Sequence, residues 1–162
     1  KDTLLYWHKP DMHVGLAAWK PETLDSNVNL KITGALNYLA ARNMFAKTGF
    51  VEHTHINYAG DTTHNDSRRN MTEKSGHILD VDSRYPKIVG TARRIIVEDI
   101  SQALKNSLTV SIDITPGNHD PNTAVCMLEI IAAYFRNEKR VFVNMSPSQF
   151  KFLKWGNSFV MG

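Results

Sequence analysis

The chain of 162 residues has a single cysteine, Cys126, so an intrachain disulfide and a thiolate-rich zinc site are both excluded. Any bound metal must use His, Asp, Glu or Asn. No apolar run approaches the roughly 18 residues that a membrane span requires, and the N-terminal stretch lacks the apolar centre of a signal peptide. Neither membrane insertion nor export is expected, and the expected compartment is the cytoplasm. No repeat, low-complexity tract or Pro/Gly-rich linker divides the sequence, which reads as one domain over residues 1–162. Excess charge is also small: 19 basic against 16 acidic residues give +3, which permits a polyanionic partner without establishing one. With 42% hydrophobic and 22% charged residues, the composition is that of a globular domain rather than a disordered tail or a rod. Histidine is the residue in excess, with seven at positions 8, 13, 53, 55, 64, 77 and 119 and none beyond.

Thr3 to His8 is a β-rich run broken by Pro10 and Gly15. Val28, Ile32, Ala35, Leu36, Leu39 and Ala40 recur at three- and four-residue spacing, which predicts an amphipathic helix closing near Gly49 with these residues on its core face. His55 to Ala59 reads as a second strand, and the polar segment from Thr62 to Asp82 is too long for a simple turn. Helical spacing returns over Lys87–Leu104, strand alternation over Leu108–Thr115, and helical spacing again over Ala124–Phe135. Val141–Met145 and Ser158–Met161 read as strands. The order predicts an α/β layered fold with a mostly parallel central sheet and flanking helices. In such sheets ligands collect beyond the carboxyl ends of the strands.

Three polar clusters follow the first three strands: Asp11-Met12-His13, then Gly60-Asp61-Thr62-Thr63-His64-Asn65-Asp66, then Gly117-Asn118-His119-Asp120. Parallel connectivity brings such loops side by side, so Asp11, His13, Asp61 and Asn118 converge although about 50 residues separate successive clusters. Mixed oxygen and imidazole donors suit Mn²⁺, Fe²⁺ or Zn²⁺ better than Ca²⁺. A carboxylate such as Asp61 can bridge two ions, and two ions about 3.5–4 Å apart can activate water and stabilise a phosphoryl centre. Taken singly, Asp-x-His is a common chance pattern and Gly-Asp a frequent turn; the specificity lies in the three together, in this order, after three strands.

On DMH, GDTTH and GNHD the sequence resembles the calcineurin-like metallophosphoesterases. The GD-x-x-H variant is similar to that family's DNA double-strand-break-repair nucleases, and HILDVDSRYPKI and FLKWGNSFVMG are similar to phage and prophage members. The resemblance implies a metallophosphoesterase fold and a phosphodiesterase, a DNA nuclease in the first instance, using two divalent ions, Mn²⁺ by family preference. It implies that Asp11 and His13 bind the first ion, that Asp61 bridges and that Asn118 binds the second. His119 then acts on the leaving-group oxygen with Asp120 orienting its imidazole, and His64 touches the phosphate or supports the metal geometry, or is a solvated loop residue. A homo-oligomer or a protein partner is compatible with the family pattern.

The family pattern ends with a further histidine and Gly-His-x-His, and no counterpart is present here. The expectation is therefore that these residues are the N-terminal part of a longer domain whose continuation supplies a histidine pair. The other reading is a non-catalytic binding or structural module in a larger assembly. Arg68, Arg69, Lys74 and Arg84 lie in or near the long loop and are candidates for positioning a DNA backbone. Trp7, Trp19 and Trp155 read as packing residues ahead of base-stacking ones. His53 and His55, at i and i+2 on one strand face, read as structural or surface residues ahead of metal ligands. Their presence departs from the apolar strands of a doubly covered sheet.

Overall fold

The computed structural model describes residues 3–20, 27–146 and 148–161. Four strands, β1 (Leu4–Pro10), β2 (Val51–Ala59), β3 (Ser107–Thr115) and β4 (Val141–Val143), form one sheet in the order β1-β2-β3-β4, every pairing parallel. Between them lie helices α1 (Leu30–Thr48), α2 (Tyr85–Asn106) and α3 (Pro121–Tyr134). The expected α/β fold with a parallel sheet is what the chain adopts. Because strand order follows chain order, crossovers of one hand place the helices on the same face. Their buried side chains accordingly join one core. Phe45 comes from α1, Ile88, Ile96 and Ile100 from α2, and Met127 and Ile131 from α3; they pack on Ile56, Tyr58, Val110, Ile112 and Ile114 of the sheet.

Two sequence expectations are corrected here. The first helix exists and closes at Gly49, whose φ of +71° suits glycine. Its anticipated core face, however, is outside: Ala35, Leu36, Leu39 and Ala40 are exposed, and Ala41 and Phe45 are the buried residues. Apolar residues surround this helix, so their period does not single out a face, and the Trp7–Phe45 edge contact at 5.6 Å decides it. The second correction concerns the C-terminal strand. Ser158–Met161 pairs antiparallel with Phe152–Trp155 as a hairpin, β5 and β6, separate from the main sheet. Gly156, at φ +54°, makes the two-residue turn.

The opposite face of the sheet is polar along β2, and there it is buried rather than an exposed edge. His53 Nδ1 lies 2.7 Å from Thr109 Oγ1 and its Nε2 2.7 Å from Ser111 Oγ. His55 Nδ1 reaches the same Ser111 oxygen at 2.7 Å and its Nε2 reaches Asp113 at 3.2 Å. Asn57 donates to Tyr6 Oη at 2.8 Å, and Tyr6 stacks on His55. Trp155 of the hairpin stacks on His53 at 5.2 Å. Burial, and then the neighbouring His55, push the His53 pKa below its ordinary value. These histidines hold strands together, the structural alternative of the two considered above. On the helix side, Lys9 and Asp99 form a buried ion pair at 2.6 Å, and Tyr58 also donates to Asp99. No helix among the described residues is long and apolar enough to cross a membrane.

Candidate metal centre

The three polar clusters leave the carboxyl ends of three adjacent parallel strands, and backbone bonds lock the loops together. His13 N–H donates to the Asp61 carbonyl at 2.8 Å, Val14 N–H to Thr62 at 3.0 Å, and His64 N–H back to Val14 at 3.0 Å. The second and third loops join where His119 N–H donates to Asp61 Oδ1 at 2.8 Å. There is no room for a side chain at this junction: a Cβ on Gly117 would fall 2.6 Å from Asp61 Cγ.

Asp11, His13 and Asp61 all adopt positive φ, at +45°, +42° and +46°, and Asn70 is the other non-glycine residue described in that region. Such a conformation costs on the order of 1 kcal/mol or more per residue and persists where the surroundings impose it. Three of the four strained positions are therefore residues singled out from the sequence as metal ligands.

Two overlapping groups of side chains offer ligand atoms within 4.8 Å of one another: Asp11, His13 and Asp61, and His13, His64 and His119. The donors are carboxylate oxygens and imidazole nitrogens, which fit a borderline divalent cation. His64 Nδ1 sits 3.1 Å from His13 Nδ1, and the His13 and His119 rings meet edge to face with centroids 4.7 Å apart. Burial, followed by the charges of His13 and His119, pushes the His64 pKa down to about 4. His13 is also lowered, first by burial and then by His119. His13 and His64 are thus neutral near pH 7, which leaves their imidazole nitrogens available as ligands. His119 Nδ1 lies 2.9 Å from the His64 carbonyl, which can only accept. Nδ1 therefore carries a hydrogen, and Nε2 is the nitrogen left for a metal or substrate.

Asp120 does not orient His119, contrary to the sequence expectation. It is wholly buried, and its carboxylate accepts from the backbone of Thr63 at 2.9 Å and of Gly117 at 2.9 Å, tying the second loop to the third. Burial pushes its pKa up to about 6, with these two amides acting in the opposite direction. Asn118 is exposed on the His119 loop, and its side chain makes no hydrogen bond among the described residues. Arg68 and Arg84 meet in one cleft, whereas Arg69 does not line it.

Asp66 is the residue that sequence reasoning passed over. It accepts from the Asn122 and Thr123 amides and from both of their side chains. These are the N2 and N3 amides of α3, whose own N-cap residue Asp120 makes no side-chain cap. The available signal was Pro121 at the first helical position after an aspartate committed elsewhere. The chain matches no family model, and comparison with curated proteins and solved structures finds nothing similar to it.

Proposed function

We propose that the chain is a metal-dependent phosphodiesterase of the calcineurin-like type, acting on DNA. The observation that carries this reading is the convergence of Asp11, His13 and Asp61 with His64 and His119 beyond three parallel strands. In this reading Asp11 and His13 would hold one divalent ion and Asn118 a second, with Asp61 available to both; Mn²⁺ would be preferred, and Fe²⁺ or Zn²⁺ also suited. Bound ions of this kind neutralise charge on a phosphoryl group and acidify the attacking water. The chain's own residues supply the rest. Asp61 serves the centre with one oxygen while its Oδ1 fixes the His119 backbone. His119 keeps Nδ1–H on the His64 carbonyl throughout; as the imidazolium it also carries a hydrogen on Nε2, gives that hydrogen to the leaving oxygen and is left neutral. Asp120 positions the loop rather than the imidazole. The DNA preference rests on the GD-x-x-H variant and on the arginines of the long loop.

The test is Mn²⁺ calorimetry on the chain and on Asp61→Ala, alongside hydrolysis of bis(p-nitrophenyl) phosphate. Two ions per chain, lost in Asp61→Ala, together with Mn²⁺-dependent hydrolysis, support the proposal. His119→Ala lowers kcat by about 10²–10⁴ while leaving most of the metal bound. One weak ion or none, with DNA or protein binding but no hydrolysis, identifies instead a non-catalytic module of a larger assembly.

A further inference from the structure

Three cavities run end to end from the metal-bearing loop to the outer helices. The first, of about 550 Å³, begins at Asp66 and shares Arg68, Tyr85 and Pro86 with the second, of about 640 Å³. The second shares Asp82 and Ser83 with the third, of about 820 Å³, between α1 and α2. Shared lining residues set the three side by side, and we read them as one groove. Arg68 follows His64 by four residues, so the groove opens within about 14 Å of the candidate centre.

Cations outnumber acids along its lining. Arg68 and Arg84 flank the middle cavity, and Lys87 and Arg94 continue along α2. None of these four forms an ion pair among the described residues. Asp82, Glu98 and Asp99 line the far cavity too, where Lys31, Lys87, Arg93 and Arg94 outnumber them; Asp82 accepts the Leu30 amide, Asp99 is paired with Lys9, and Glu98 accepts from Gln102. Two aromatic side chains, Tyr38 and Tyr134, line the far cavity and are 45% and 56% exposed. Exposed large aromatics beside unpaired cations combine stacking platforms with backbone contacts, the arrangement that holds single-stranded nucleic acid. A duplex, with its bases already stacked, leaves such tyrosines idle.

We propose that this groove is the track for a single polynucleotide strand leading into the centre, with Arg68, Arg84, Lys87 and Arg94 on successive phosphates and Tyr38 and Tyr134 against bases. The inference rests on the phosphodiesterase reading for its direction, and it specifies the substrate as a strand with phosphates beyond the one cleaved.

Binding is measured by fluorescence anisotropy with labelled oligo-dT across a salt series, in EDTA so that nothing is cut. Each lost phosphate contact on a single strand flattens the slope of log K against log[salt] by about 0.7. Arg68→Ala/Arg84→Ala therefore flattens it by about 1.4, and Lys87→Ala/Arg94→Ala by about as much again. Lys105→Ala/Lys139→Ala removes the same charge outside the groove and leaves the slope as it was. Tyr38→Ala and Tyr134→Ala each weaken binding at least about fivefold without changing the slope. All of these side chains are at the surface, and thermal unfolding verifies that each variant is folded. Groove variants with the wild-type slope overturn the proposal, as does duplex bound as tightly as single strand. Hydrolysis does not enter this assay: an inactive protein with the expected slopes refutes the phosphodiesterase reading alone, and an active one with unchanged slopes refutes the groove alone.

Discussion

Gly117→Ala adds one methyl group at the junction of the second and third loops. The new carbon lies 2.6 Å from Asp61 Cγ, and the Asp61 carboxylate oxygen and amide nitrogen are nearer still. Carbon atoms pack at about 3.5–4.0 Å, so the overlap is about 1 Å. A flexible side chain could swing aside, but the Asp61 amide belongs to the backbone. The two loops must separate, at the expense of the His119 amide bond to Asp61 or of the Gly117 amide bond to Asp120. Overpacking costs about 1–3 kcal/mol and a lost hydrogen bond about 1 kcal/mol. A total of about 2–4 kcal/mol lowers Tm by roughly 5–15 °C in a chain of this length. Mn²⁺ affinity falls as well, because Asp61 is the residue displaced. Gly90→Ala in α2 is the matched control: nothing lies within 4 Å of its Cβ, and alanine in a helix interior stabilises by about 0.5–1 kcal/mol. Thermal unfolding and Mn²⁺ calorimetry on the two variants give opposite signs. A Gly117→Ala protein that melts at or above wild type and binds Mn²⁺ normally refutes the close approach of these loops.

Three further outcomes follow from the same geometry. Lys9→Met strands a buried Asp99 and costs about 3–5 kcal/mol in urea unfolding, and adding Asp99→Asn recovers part of it. Asp66→Ala leaves two helix-terminal amides and two side chains without their acceptor; stability falls by about 2 kcal/mol, and an unchanged Tm contradicts the cap. In metal-free protein, burial makes the native state hold the Asp120 proton up to about pH 6, against about 3.9 when unfolded. Ionising Asp120 therefore costs stability as pH rises through that window. Asp120→Asn lacks this loss, so its stability relative to wild type increases from pH 4 to 6 by roughly 2 kcal/mol, read by urea unfolding at both ends.

The parallel sheet and its loops were legible because strand ends carry their own punctuation. Gly60 follows β2, and Pro116-Gly117 follows β3, each immediately before the polar residues that converge. The face that α1 buries was not legible, since Leu36 and Leu39 are as apolar as Phe45 and only the position of Trp7 distinguishes them. Nor was the pairing of Asp120, because His119 is its neighbour in sequence while Thr63, its actual partner, is 57 positions away. Adjacent residues on a loop point apart; residues on adjoining loops meet. His53 and His55 looked out of place in a covered strand for a similar reason, their partners lying on β3, more than 50 positions along the chain.

That histidine ladder has a direction. The Asp113 carboxylate only accepts, so with both imidazoles neutral His55 carries its hydrogen on Nε2 and presents a bare Nδ1 to Ser111. Ser111 must then give its hydrogen to His55 and receive one from His53 Nε2, which leaves His53 Nδ1 to draw the Thr109 hydroxyl hydrogen from its longer 3.4 Å contact with the Glu52 carbonyl. One acid at the end of the row sets two tautomers and two hydroxyl rotors in sequence, and the reverse arrangement has no proton at Asp113 with which to begin. Exchanging that carboxylate for an amide would supply one, and the whole row could then turn over together.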